Sequence, residues 1–244
     1  MVKSKTKVDI LAIGVHPDDV ELSCSGTLLR HIDLGHKVAI LDLTEGELGT
    51  RGNATLRKKE ARKAAEILGV DDLEILKIPD GFFEPTPEYK LQIAAAVRRY
   101  QPEIVLANAI DDRHPDHGRA ARLIYDACFL AGLNKVETHD RDGHRQERWR
   151  PKAIYNYVQD KMLLADVIVD ITPYMDKKME SILAYSSQFY DPESMEADSP
   201  ISGADFLEYI KARARGYGRQ IGVEYGEGFT VSRPIGSSNL LELI

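Results

Sequence analysis

The chain has 244 residues and a formal net charge of −7, with 43% hydrophobic and 29% charged residues. This balance suits one large folded core and excludes a disordered chain, and the acidic excess disfavours a protein that lives on nucleic-acid phosphates. Cys24 and Cys128, the two cysteines, lie far apart and form neither a metal knuckle nor a disulfide framework.

The basic stretch Met1 to Lys7 is followed by only a short apolar run, which is neither a signal peptide nor a membrane span. A cytoplasmic protein with no membrane or nucleic-acid partner is expected. Val8 to Val15 reads as a buried strand, and Glu21 to Leu34 as a helix with Leu22, Leu28, Leu29 and Ile32 at helical spacing and Gly35 at its end. Lys37 to Leu43 is a second strand, so the order implies a right-handed crossover and a parallel sheet. Gly46, Gly49 and Gly52 mark a loop, and Thr55 to Leu68 reads as an amphipathic helix that Thr55 would cap.

A strand is expected over Leu73 to Ile78, a helix over Glu88 to Tyr100, a strand over Glu103 to Ala109, and a helix from the following polar cluster to Leu130. Asn134 to Arg150 reads as a charged surface loop. Lys152 to Val158 and Asp166 to Ile171 are further strands, and a helix with Thr172 at the N-cap and Pro173 at its first position runs to Ser187. Phe189 to Gly203 reads as a loop, Ala204 to Tyr217 as a last helix, and the stretch from Gly218 as an irregular tail. The pattern predicts an α/β, Rossmann-like three-layer sandwich with a mostly parallel sheet, forming a single domain over residues 1–244.

Two polar clusters follow strands. His16-Pro17-Asp18-Asp19 with Glu21 leaves the first strand, and His114-Pro115-Asp116-His117 leaves the fourth. The carboxyl ends of parallel strands share one edge of a sheet, so the two clusters can converge there. Histidine and carboxylate together suit a zinc site that keeps a position open for water, with a spare carboxylate as base. Each cluster alone has a plainer reading: Asp18 or Asp19 caps a helix, Glu21 favours a helix dipole, and either histidine sits in a solvated loop. Arg51, ending the glycine loop on the same edge, can hold a substrate hydroxyl or carboxylate, or else is a surface arginine. His31, His36, His139 and His144 lack such partners, and Cys24 reads as packed. No dinucleotide or P-loop glycine motif follows the first strand.

The two clusters, together with Thr44-x-Gly46-x-x-Gly49-Thr50-Arg51-Gly52, resemble the LmbE-like (PIG-L type) family of zinc-dependent N-acetylglucosamine deacetylases, over roughly Val8 to Ser187. The resemblance implies that His16, Asp19 and His117 bind Zn²⁺ and that Asp18 is the general base. It also implies that His114, oriented by Asp116, stabilises the tetrahedral intermediate, and that Arg51 holds substrate. Fe²⁺ could occupy the same ligands. Within the family, the likeness points to the N-acetylglucosaminyl-malate deacetylase of bacillithiol synthesis. This implies a homo-oligomer, commonly a hexamer, and a carboxylate-bearing aglycone met by Arg51 or an arginine of the 141–150 loop. Tyr190 is a further site candidate. Three alternatives stay open: a deacetylase of another N-acetyl sugar conjugate, a metal-dependent hydrolase of another bond such as a phosphoester, and a non-catalytic binding module. The last requires that the two clusters do not meet.

Overall fold

The computed structural model describes residues 7–189 and 195–243, so Tyr190 lies outside the described residues. Among the described residues, seven strands form one sheet: β1 Ile10–Gly14, β2 Val38–Asp42, β3 Asp72–Ile75, β4 Ile104–Ala107, β5 Ala153–Tyr157, β6 Val167–Asp170 and β7 Gly226–Val231. Their order is β3-β2-β1-β4-β5-β7-β6. The first five are parallel, and β7 runs antiparallel to both of its neighbours. The helices are α1 Asp19–Asp33, α2 Ala54–Leu68, α3 Pro87–Tyr100, α4 Pro115–Ala131, α5 Met175–Leu183 and α6 Ala204–Ile221.

Alternation along β1 decides the layers. Leu11 and Ile13 pack into one core with Ile93 and Val97 of α3 and Leu123 and Ile124 of α4. Ile10 and Ala12 face the opposite core with Val20, Cys24 and Leu28 of α1. A third cluster joins Ala61 and Ala64 of α2 to Met175 and Ile182 of α5 and Ile210 of α6. The sheet is thus covered on both faces, as the three-layer expectation requires. Because β1 lies between β2 and β4, the chain reverses direction across the sheet there and opens a crevice at the carboxyl ends of β1 and β4. No helix of the described residues is long and apolar enough to cross a membrane.

Four local expectations are corrected. The tail from Gly218 contains β7. Its glycines hide the strand pattern, but smallness is required: a Cβ on Gly228 would lie 2.8 Å from the Tyr217 ring, and one on Gly226 would lie 2.7 Å from Ile168 Cγ2. Thr172 does not cap a helix; it opens a 3-10 turn, Thr172–Tyr174, and its hydroxyl accepts from Tyr225 N at 3.1 Å. The helix that follows ends at Leu183, short of Ser187. α2 is capped by Asn53 rather than Thr55, through a bond from Leu56 N at 3.0 Å.

Candidate active site

The site begins where β1 stops. A Cβ on Gly14 would lie 3.1 Å from Asp19 Cβ and 3.3 Å from Val20 Cγ2, so glycine permits α1 to start almost on top of the strand end. Asp18 takes φ 111° and ψ −23°, a left-handed conformation that is strained for a residue with a side chain. It occupies the N-cap position of α1 but makes no capping bond with its side chain, so the helix-cap reading of Asp18 does not hold. Its Oδ2 instead accepts from Arg57 Nη2 of α2 at 2.8 Å. Arg57 also donates to the carbonyls of Gly46 and Pro17. Gly46, at φ 63°, leaves room for that guanidinium, which a Cβ would strike.

Asp19 is held at both oxygens. Oδ2 accepts from His16 N and Asn108 Nδ2, each at 2.9 Å, and Oδ1 accepts from Gln159 Nε2 at 3.0 Å. From this position Asp19 lies 3.7 Å from His16 Nδ1 and 3.2 Å from His117 Nε2. The two strand ends do meet: the His16 and His117 ring centres are 5.6 Å apart, and His114 lies 4.7 Å from His16 and 5.1 Å from His117. The condition under which a binding module without a joint centre would survive is therefore absent.

Each outer histidine nitrogen has a carboxylate. His16 Nε2 lies 2.9 Å from Asp80 Oδ1, and His117 Nδ1 lies 2.5 Å from Asp112 Oδ2. Such carboxylates fix ring orientation and tautomer in histidine–metal centres. Ligand atoms of His16, His114 and His117 come within 4.8 Å of one another, as do those of His16, Asp80 and Asp116. In the second group, Asp80 and Asp116 both approach His16 through Nε2, whereas Nδ1 faces Asp19. His16 Nδ1 and His117 Nε2 thus both face the Asp19 carboxylate, through Oδ2 and Oδ1 respectively. They are two imidazoles and a carboxylate, all at least nine-tenths buried, with every outer partner in place.

Electrostatics set the protonation of these groups. Burial lowers the His16 pKa, but the Asp116, Asp80 and Asp19 carboxylates outweigh it and push it up to about 10. Burial likewise disfavours charge on His117, while Asp19 and Asp112 raise it to about 9. Asp19 resists its own burial because His117 and His16 hold it well below the usual carboxylate range. Asp18 is raised by burial to about 6, with Arg57 opposing that rise. His114 is lowered by burial and by the charges on His16 and His117. Glu21 is not a solvated first-turn acid: it is buried, and burial raises it to about 8.

His16, Asp18, Asp19, His114 and His117 line one cavity of about 330 Å³. Asp116 and Arg51 are not among its lining residues. The hydrogen bond between Asp116 and His114 is made by the Asp116 backbone, whose N–H donates to His114 Nδ1 at 3.2 Å, and the Asp116 charge opposes the lowering of the His114 pKa. The Asp116 carboxylate accepts from Gly81 N at 2.8 Å and Arg119 Nη1 at 2.7 Å, and lies 3.7 Å from His16 Nε2. The Arg51 guanidinium is spent on the Ala197 carbonyl at 2.8 Å, the Phe189 carbonyl at 3.5 Å and Asp198 at 3.1 Å. The 141–150 loop lies at the opposite edge of the sheet, where the Trp149 indole donates to Pro102 O just before β4.

Sequence reasoning missed Arg57, Asp80, Asp112, Asn108 and Gln159. Gln159 follows β5 as His16 follows β1, so the same strand-end rule points to it. Asp80-Gly81 also lies on this edge, after β3.

Fold and site together define a Rossmann-like α/β protein with a buried histidine–carboxylate centre at its switch point. Residues 11–128 match the family described as PIG-L, GlcNAc-PI de-N-acetylase. The chain is 31% identical to the diacetylchitobiose deacetylase of Thermococcus kodakarensis, over 90% of this chain and 81% of that one. A solved structure of a conserved protein from Thermus thermophilus superposes with a TM-score of 0.83 at 36% identity, covering 94% of this chain and 97% of the other. The chain belongs to the PIG-L (LmbE-like) family of de-N-acetylases. The expected affinity for the bacillithiol enzyme is only distant. A probable N-acetyl-alpha-D-glucosaminyl L-malate deacetylase 2 of Bacillus anthracis is 26% identical, over 76% of this chain and 83% of its own length.

Proposed function

We propose that this chain is a metal-dependent deacetylase that hydrolyses the N-acetyl amide of an N-acetylglucosaminide, using residues 1–244 as one catalytic domain. The observation that carries this is the meeting of His16 and His117 across the Asp19 carboxylate, in a cavity that Asp18 and His114 also line. His16, Asp19 and His117 would hold Zn²⁺ or Fe²⁺, which when bound supplies Lewis acidity toward water and the amide carbonyl.

The chain's own residues supply the proton handling. Asp18, near 6, is ionised at neutral pH yet basic enough to take a proton from the attacking water. Arg57 keeps it ionised despite burial and fixes its direction. His114 accepts from Asp116 N at Nδ1, so its ring proton is on Nε2 and can be donated to the developing oxyanion. When the C–N bond breaks, the proton on Asp18 passes to the leaving nitrogen, releasing acetate and the free amine.

For the aglycone, N-acetylglucosaminyl-malate remains one candidate, supported by the Bacillus anthracis relative. A β-linked second sugar is the other, favoured by the higher identity to the Thermococcus enzyme and by an apolar wall of Ile201, Phe206 and Ile210 on which a sugar face can rest. The expectations of a cytoplasmic homo-oligomer belong to this reading and rest on the sequence and its resemblance.

The test is acetate release from N-acetylglucosaminyl-malate, diacetylchitobiose and N-acetylglucosamine by Zn²⁺-loaded protein. Release from at least one supports the reading, and Asp18→Ala should abolish it while retaining the metal. A fully active Asp18→Ala would remove the base assignment. Full activity after chelation would remove the metal.

A further inference from the structure

Strand β7 carries Gly226-Glu227-Gly228, glycines that the sequence suggested only as tail. Glu227 is buried, and its carboxylate reaches into α1: Oε1 accepts from Gly26 N at 3.0 Å, and Oε2 accepts from Thr27 N at 2.7 Å and Thr27 Oγ1 at 2.6 Å. Lys178 of α5, also buried, donates to Glu227 Oε1 at 2.8 Å and to the carbonyls of Glu21 at 2.9 Å and Leu22 at 3.0 Å. Arg213 of α6 donates to the same Leu22 carbonyl at 2.6 Å and to the carbonyl of Gln159.

These are interior groups of a helix. A regular ladder would pair Gly26 N with the Leu22 carbonyl. Here an anion serves the N–H side and two cations serve the C=O side, within two turns of Asp19. Gly26 admits this approach to the rest of the fold, since a Cβ there would lie 2.8 Å from Ile171 Cβ.

A buried ion pair is a poor source of stability, because desolvation offsets most of its Coulomb energy. We propose that Lys178 and Glu227, with Arg213, are positioning residues that fix the seat of α1 on the sheet and thereby hold Asp18 and Asp19 in register with the α4 histidines. Three elements far along the chain grip α1 between Glu21 and Thr27, about two turns. Arg213 grips two of the site's supports at once, since the side chain of Gln159 holds Asp19 Oδ1. Loss of the grip lets α1 slide or rotate, and the ligand and the base move with it.

The geometric part stands without the deacetylase reading, which enters only through turnover. The experiment compares wild type with Glu227→Gln, Lys178→Met and the milder Thr27→Val, each checked for folding by circular dichroism and melting. Three quantities are read: hydrogen exchange at the Gly26 and Thr27 amides, Zn²⁺ affinity by titration of metal-free protein, and kcat and KM for acetate release. Glu227→Gln should speed exchange at both amides, weaken Zn²⁺ about 10-fold, and lower kcat about 10-fold with KM little changed. Thr27→Val should move all three in the same direction by less. Glu227→Asp, one methylene shorter, should not rescue.

Folded variants with wild-type Zn²⁺ affinity would overturn the proposal. If Glu227→Gln does not fold, Thr27→Val decides: unchanged affinity overturns the proposal and weakened affinity supports it. If wild type releases no acetate from any sugar while Zn²⁺ binding still weakens in the variants, the substrate reading fails and the positioning role stands.

Discussion

Arg57 Nη2 donates to Asp18 Oδ2 at 2.8 Å, and both side chains are at least nine-tenths buried. The pair joins the loop after β1 to α2, and it sets how basic Asp18 can be. A cation beside a carboxylate lowers its pKa, so removing Arg57 leaves burial unopposed and raises it. Arg57→Leu should therefore move the acidic limb of kcat/KM upward and lower the rate at neutral pH. Arg57→Lys, which keeps the charge but loses the fork, should fall between. A pH–rate series decides this, and an unmoved limb in Arg57→Leu would contradict it.

Metal binding should expel protons. Without metal, His16 and His117 titrate near 10 and 9, so both are protonated at pH 7, yet a metal-ligating histidine must be neutral. Binding at pH 7 then releases about two protons, and affinity climbs with pH up to about 10. The same shifts bear on the metal-free fold. Both folded values lie above the ordinary 6.5, so the stability they contribute is complete below pH 6.5 and is lost as pH rises through 9 and 10. Calorimetric Zn²⁺ titration in two buffers of different ionisation heat counts the protons, and a count of zero would exclude these charge states.

The outer carboxylates should matter almost as much as the ligands. Asp112→Asn and Asp80→Asn leave the ligand atoms in place but remove the anchors of His117 and His16. Each should weaken Zn²⁺ by about 10–100-fold while the protein stays folded. Equilibrium dialysis against Zn²⁺ measures this directly, and unaltered affinity would assign the two aspartates to loop structure alone.

Arg51 offers a sharp contrast between two roles. Its donors hold the Phe189 and Ala197 carbonyls and Asp198, so Arg51→Ala should loosen the segment at residues 195–203, which includes Pro200 and Ile201 of the cavity wall. KM should then rise by a similar factor for malate-bearing and uncharged N-acetylglucosaminides. A rise confined to the malate conjugate would restore the direct role expected from the sequence.

The centre was legible because β1 and β4 are apolar runs that end abruptly in histidine and aspartate, and parallel topology brings such ends together. Its supports were not. Arg57 sits beside Lys58 and Lys59 on a strongly charged helix, and composition cannot separate the buried arginine from its solvated neighbours. Asp112 shares a cluster with Asp111 and Asp116, and only the backbone path after β4 decides which carboxylate faces His117. The partners of Arg51 were not legible because a flexible, charged side chain at this edge can turn to substrate or to the 197–198 backbone and carboxylate. β7 was hidden because packing against Tyr217 selects for the smallest residue, the one that propensity reads as a loop.

The place of β7 in the sheet orders events in time as well as space. β6 has β7 as its strand partner, and β7 is the last of the seven strands to leave the ribosome. β1 to β4 and both histidine motifs can come together earlier by mostly sequential pairing, but β6 waits with an open edge until residues 226–231 arrive. Only then can Glu227 enter α1, a helix synthesised some two hundred positions before it. The first helix and the last strand thus finish the centre jointly, and a nascent chain that holds His16, Asp19 and His117 still lacks the strand that grips α1.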